Sequence, residues 1–171
     1  MTSRGLFIGR FQPFHNGHLW AIKEILKRED EIIIGIGSAQ DSYSLENPLT
    51  AGERIEIIRE VLKSIGALDR GIIVPIPDIN ENLAWPGRVI ELTPRFDRVY
   101  SGNELVLMLF EKFGIKTIRL KHIDRDKYQG RIIRERILRG EPWEHLVPSS
   151  IIPLLKKFSF EERIRRLVGK R

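Results

Sequence analysis

Gly5-Leu6-Phe7-Ile8-Gly9 is a short apolar run closed by glycine, and Glu31-Ile32-Ile33-Ile34-Gly35-Ile36-Gly37 is a second, stronger one. Runs of this length without polar alternation fit strands covered on both faces, as in a parallel sheet. Between them Leu19, Ile22, Ile25 and Leu26 recur at helical spacing, while Lys23, Glu24, Lys27 and Arg28 take the other face. Strand, helix and strand in about 30 residues make a βαβ unit.

Working outward, Thr50-Ala51-Gly52-Glu53 is a capping box, and Ile55, Ile58, Val61, Leu62 and Ile65 continue it as an apolar helix face. Ile72 to Ile76 predicts a third strand, Trp85 to Leu92 a short helix, Arg98 to Tyr100 a fourth strand, Glu104 to Phe113 a helix and Lys116 to Leu120 a fifth strand. Helices are expected around Gly130 to Arg139 and Phe160 to Val168. The alternation argues for an α/β fold: an open, mainly parallel sheet with helices on both faces. No internal repeat, low-complexity tract or linker interrupts it. A single domain over 1–171 is expected, with a basic helical C-terminal part from about 121.

The chain has 171 residues and no Cys, which excludes a disulfide scaffold, a thiolate metal site and a Cys nucleophile. No apolar run approaches the roughly 20 residues of a bilayer span, and Met1 to Phe14 lacks a secretory signal's apolar stretch. A cytoplasmic protein with no membrane partner is therefore expected. The net charge of +6 is uneven: residues 1–115 hold 13 Lys and Arg against 16 Asp and Glu, whereas 116–171 hold 16 against 7. That asymmetry fits an anionic partner, and equally a solvated basic helix face interleaved with Glu.

In such sheets ligands bind beyond the carboxyl ends of the strands. The loop after the first strand reads Gly9-Arg10-Phe11-Gln12-Pro13-Phe14-His15-Asn16-Gly17-His18. Spacing of three puts His15 and His18 on neighbouring positions at a helix start, where open backbone amides and the positive end of the helix dipole favour an anion. The competing readings are a pair of helix-capping histidines and a metal site. Two imidazoles with no Cys or nearby carboxylate cluster leave a zinc shell incomplete, so no protein-built metal site is expected.

At these residues the chain resembles the HxGH nucleotidyltransferases. Gly37-Ser38-Ala39-Gln40, Asn47-Pro48-Leu49-Thr50-Ala51-Gly52-Glu53-Arg54, Asp78-Ile79, Asn82 with Trp85, and Tyr100-Ser101-Gly102-Asn103 extend the likeness to archaeal nicotinamide mononucleotide (NMN) adenylyltransferases, from about Arg4 to Leu167. The resemblance implies a Rossmann-like fold and adenylyl transfer from ATP to NMN or its acid form, giving NAD or deamido-NAD and pyrophosphate. It implies catalytic roles for His15, His18 and Arg10. ATP contacts are implied at Gly9, Phe11, Gly17, Gly102, Asn103, Gly130, Arg131 and Arg134, and NMN contacts at Ser38, Ala39, Asp78, Asn82 and Trp85. It further implies Mg²⁺ carried by ATP, with other divalent metals as alternatives, and a homo-oligomer, commonly a hexamer.

The chain departs from the family pattern in two places. Where the family shows Ser-Gly-Thr or Ser-Ser-Thr, two residues and Arg, this chain has Gln129-Gly130-Arg131-Ile132-Ile133-Arg134, so both hydroxyls are missing. Glu46 stands in a loop where a basic residue would suit phosphate better. Two other readings stay open: an adenylyltransferase for another phosphate acceptor, such as phosphopantetheine or FMN, and a nucleic-acid binder using the basic C-terminal third. The scarcity of aromatics there argues against the second.

Overall fold

The computed structural model describes residues 1–121 and 126–169. The strands are β1 (Arg4–Gly9), β2 (Glu31–Ile36), β3 (Gly71–Pro75), β4 (Arg98–Ser101) and β5 (Thr117–Arg119). They form one sheet in the order β3-β2-β1-β4-β5, and every neighbouring pair is parallel. The helices are α1 (Asn16–Leu26), α2 (Ala51–Ser64), α3 (Trp85–Leu92), α4 (Glu104–Lys112), α5 (Gly130–Arg139), α6 (Ile152–Lys157) and α7 (Phe160–Val168).

The uninterrupted isoleucines of β2 are explained by two apolar layers, one on each face. Phe7, Ile32, Ile34 and Tyr100 point into the larger layer with Ile22 and Ile25 of α1, Ile58 and Val61 of α2, Ile133 of α5 and Ile164 of α7. Leu6, Ile33 and Val99 point the other way, onto Val89 of α3 and Phe110 of α4. Ile32, Ile33 and Ile34 are all 0% exposed, and each such side chain contributes roughly 1.5–3 kcal/mol over an exposed one. The basic C-terminal helices thus share the larger core with the sheet. The domain expectation of 1–171 also covers 122–125, 170 and 171, which lie outside the described residues.

Strand order reverses between β1 and β4, whose register pairs Phe7 with Tyr100. The loops that leave these two strands diverge to opposite sides of the sheet and open a crevice between them. At the other end of the strands Glu29 is buried. It accepts hydrogen bonds from Arg98 Nε (2.5 Å) and Nη2 (2.9 Å) and from the Tyr100 hydroxyl (2.6 Å). These bonds, Arg98's first, hold its carboxyl below the usual range.

The predicted elements match closely; the third strand is displaced by one residue, from 72–76 to Gly71–Pro75, and two differences are larger. Helix α6, led in by Ser149–Ile151 as a 3-10 turn, was not expected. It is six residues long and carries Pro153 in its first turn, too short to show a helical period. Strand β5 is shorter than predicted, at Thr117–Arg119.

Candidate active site

His15 is the N-cap of α1. Its Nδ1 accepts from the backbone N–H of Gly17 (3.1 Å) and His18 (3.3 Å), and His18 Nδ1 accepts from the His15 N–H (3.1 Å). The two rings stack with centroids 3.6 Å apart. This is a capping box built from two imidazoles. Capping and ligand binding are therefore compatible readings. Because each Nδ1 is an acceptor, each neutral ring carries its proton on Nε2, which remains as a donor. The amides of Gly17 and His18, expected to face an anion, are instead satisfied by His15.

Burial lowers the His15 pKa to about 4. His18 lies edge-on to Phe11 (4.6 Å) and close to Phe14 (5.3 Å). Burial first, then the neighbouring His15, holds it well below 6.5. Both rings are neutral N–H donors at pH 7, and an arriving polyanion would favour their protonation.

A cavity of about 530 Å³ opens at the β1/β4 crevice. Its walls include Gly9, Arg10, Phe11, His15, Gly17 and His18 on one side and Gly102 and Asn103 beyond β4. The start of α5 supplies Gly130, Arg131 and Arg134. All eleven residues expected in catalysis or at ATP therefore meet around one space. Asn103 caps α4 through Oδ1, which accepts from Leu105 N (2.9 Å), and its amide nitrogen is left for another acceptor.

The α5 start approaches the β1–α1 loop so closely that a Cβ on Gly130 would lie 2.8 Å from the Gln12 carbonyl oxygen. Arg134 Nη1 donates to that same oxygen at 2.6 Å. Burial, with the charge of Arg10 next, brings the Arg134 pKa down to about 10, so it stays cationic at pH 7. Arg131 is exposed and paired to Glu135 at 2.9 Å. An exposed pair of this kind is worth about 0.3–0.5 kcal/mol, so a phosphate could take the guanidinium at little cost. Glu46 lines the cavity and its charge favours the Arg134 cation.

The five residues expected at NMN divide into two groups, and none belongs to the described walls of this cavity. Ser38 Oγ donates to Asp78 Oδ2 (2.8 Å), Gln40 Nε2 donates to the same oxygen (3.2 Å), and Ala39 N donates to the Ile76 carbonyl (3.2 Å). Asn82 opens a 3-10 turn just before α3, and Trp85 begins α3. The Trp85 ring meets Phe110 edge-on at 5.4 Å, on the rim of the smaller core.

Sequence reasoning missed two residues beneath these loops. Gln12 is 3% exposed; its Nε2 donates to the Leu49 carbonyl (2.9 Å) and its Oε1 accepts from Leu49 N (2.9 Å). Arg54 is 0% exposed. Nη1 donates to the carbonyls of Arg10 (2.9 Å) and Gly37 (2.9 Å), Nη2 to those of Ser38 (3.2 Å) and Asp41 (3.3 Å), and Nε to Thr50 (3.2 Å). Burial brings its pKa down to about 10, against the pull of Asp41. Phe11 (φ 54) and Ser38 (φ 47) are both left-handed. Such non-glycine positions cost of order 1–3 kcal/mol and persist only when their surroundings hold them. The signals in the sequence were Gln12's place in the loop Gly9 to His18 and Arg54's place at the end of the motif Asn47 to Arg54.

The cytidylyltransferase-like family matches residues 6–136. A nicotinamide-nucleotide adenylyltransferase of Methanococcus aeolicus is 51% identical over 96% of this chain and 94% of its own length. One from Pyrobaculum arsenaticum is 49% identical over 95% and 92%, and one from Archaeoglobus fulgidus 43% over 98% of each. Among solved structures, a bifunctional NMN adenylyltransferase/ADP ribose pyrophosphatase from Francisella tularensis superposes with a TM-score of 0.81 at 24% identity. It covers 99% of this chain, which spans 53% of that protein, and the likeness concerns the fold alone.

Proposed function

The chain belongs to the cytidylyltransferase-like family and, within it, to the nicotinamide-nucleotide adenylyltransferases, and on that premise we propose how its residues transfer the adenylyl group of ATP to NMN. The enzyme forms NAD and pyrophosphate. The 5′-phosphate oxygen of NMN bonds to the α-phosphorus of ATP while the bond to the bridging oxygen of the β-phosphate breaks and pyrophosphate leaves. A phosphate nucleophile is already ionised at pH 7, so no strong general base is needed. The site has to align two polyanions and stabilise charge on the α-phosphate.

The observation that carries this reading is the pair of histidines whose Nδ1 atoms are both occupied by backbone amides, which leaves Nε2–H as the donor on each, lining one cavity with the α5 start. The imidazoles, with Arg10, donate to the oxygens of the reacting phosphate. Gly130, Arg131 and Arg134 take the outgoing pyrophosphate, where open helix amides and a guanidinium fork suit phosphate oxygens. Gly102 and Asn103 take the adenosine ribose. Ser38, Ala39, Asp78, Asn82 and Trp85 receive NMN at the neighbouring carboxyl ends of β2 and β3.

A divalent ion fits as a passenger on the triphosphate. Among the described residues no group of three or more His, Asp or Glu converges on one point. Among the described lining residues Glu46 is the one carboxylate, so phosphate oxygens and water would supply most of the shell of a Mg²⁺. Bound there, Mg²⁺ supplies charge neutralisation on the departing pyrophosphate.

Assembly into a homo-oligomer is supported by exposed Leu105 and Met108 on α4, 49% and 58% exposed. A cytoplasmic location is supported by a chain without cysteine. No described helix is long and apolar enough to cross a membrane. The test of the proposal is incubation with ATP, Mg²⁺ and, in separate reactions, NMN, its acid form, phosphopantetheine or FMN, with the product identified by mass spectrometry. NAD or deamido-NAD with stoichiometric pyrophosphate is expected. A product formed only with phosphopantetheine or FMN would overturn the acceptor assignment.

A further inference from the structure

Arg54 has five N–H donors and meets five backbone carbonyls. They come from three segments: the loop after β1 (Arg10), the loop after β2 (Gly37, Ser38 and Asp41) and the N-cap of its own helix (Thr50). A buried cation is ordinarily matched by a carboxylate. This one is matched by oriented dipoles, whose value depends on direction as well as on charge.

The carbonyls are also particular. The Arg10 carbonyl belongs to the peptide that leads into left-handed Phe11, and the Ser38 carbonyl belongs to left-handed Ser38 itself. The same guanidinium therefore grips one unusual backbone position in each loop. The first loop continues into the histidine pair, and the second carries the serine bonded to Asp78.

We propose that Arg54 is a positioning residue that fixes the β1 loop and the β2 loop relative to each other, so that the triphosphate held by one and the mononucleotide held by the other meet in line. The proposal rests on the assignment of ATP and NMN to these two loops. Arg54 touches neither substrate; it acts through the peptides of Arg10 and Ser38. Its contribution falls on the encounter of two bound substrates more than on the binding of either. A lysine here keeps the charge but offers three donors on one tetrahedral nitrogen, which cannot satisfy carbonyls on both loops in a plane.

The test compares wild type, Arg54→Lys and Arg54→Ala. Folding is checked by circular dichroism, the affinity for ATP alone and for NMN alone by calorimetry, and kcat at saturation of both. For Arg54→Lys the expected result is a fall in kcat of about 10²-fold, the scale of a misalignment near 1 Å, with each single-ligand affinity within about threefold of wild type. Millimolar guanidinium should restore part of the kcat of Arg54→Ala, whereas urea, planar but uncharged, should not. The proposal is overturned if Arg54→Lys keeps kcat within about threefold. It is equally overturned if the variant fails to fold, or if single-ligand affinities fall as far as kcat, since either marks a purely structural anchor. Wild-type protein that forms no dinucleotide would instead sink the functional assignment itself.

Discussion

At the amino ends of the strands the fully buried Glu29 carboxylate is met by Arg98 and Tyr100. At the carboxyl ends the equally buried Arg54 is met by backbone carbonyls, with the charge of Arg10 acting on it and, in turn, on Arg134. The first end pairs its buried charge directly with an opposite one; the second holds its charge with dipoles, and the carboxylates that favour its cations, Asp41 and Asp78 for Arg54 and Glu46 for Arg134, make no hydrogen bond to them. Cations held by a scaffold that cannot relax around them suit a polyphosphate without reorganising first. The arrangement has a standing cost in the empty protein, because burial and the charge of Arg10 both oppose these cations.

The comparison can be broken most forcefully at the carboxyl end. His18→Ala should cut kcat by about 10² to 10³ while changing either KM far less, because its Nε2–H meets charge that develops in the transition state. An unchanged kcat would remove His18 from the chemistry. At the amino end, Glu29→Ala leaves Arg98 without its partner and the buried Tyr100 hydroxyl without its acceptor and should lower unfolding free energy by about 1–3 kcal/mol, read from urea unfolding, with kcat of the folded enzyme unchanged. A parallel loss of kcat would mean that the two ends are not independent.

Acid should weaken the histidine end selectively. The His15 pKa is lowered to about 4 in the folded protein from about 6.5 in the unfolded chain, so the unfolded state binds more protons between these values. The stabilisation is complete above pH 6.5 and is lost as pH falls towards 4, with on the order of 1 kcal/mol gone by pH 5.5. Thermal melts of wild type and His15→Asn across this range should differ in slope, and parallel curves would contradict the assignment. The smallest effect is expected for Arg131→Thr. Its guanidinium is exposed and shared with Glu135, so ATP affinity should fall less than about fivefold, or below about 1 kcal/mol, and less still at high salt. Adding Gln129→Ser, which restores the family pattern, should recover the loss; an affinity equal to wild type in the single variant would make Arg131 a solvated helix residue.

What the sequence revealed was mostly local. The capping box at Thr50 and Glu53 appears as read, with Glu53 N donating to Thr50 Oγ1 at 3.0 Å. The isoleucines of β2 and the histidines of α1 each announce themselves within a few residues. Arg54 and Gln12 did not, because their meaning lies in partners far along the chain. Gln12 binds Leu49 across 37 positions and receives Arg134 across 122. A lone arginine on an amphipathic helix reads as solvated until the two loops that surround it are placed. The basic balance of the C-terminal third was ambiguous for the same reason. Arg131, Arg139 and Arg165 pair with glutamates nearby in sequence, but Arg163 crosses to Glu53 on α2 and Arg134 reaches the cavity.

The bond from Arg134 to the Gln12 carbonyl also sets an order of events during synthesis. A ribosome adding roughly 5–20 residues per second needs on the order of ten seconds to pass from one of these residues to the other. Throughout that interval the histidine loop exists without the wall that α5 will supply. The nascent chain can build β1, β2 and the helix between them early, since those contacts are close in sequence. The cavity between the histidine loop and α5 closes late in translation, so a truncated chain ending before α5 would carry the histidine motif without the complete cavity.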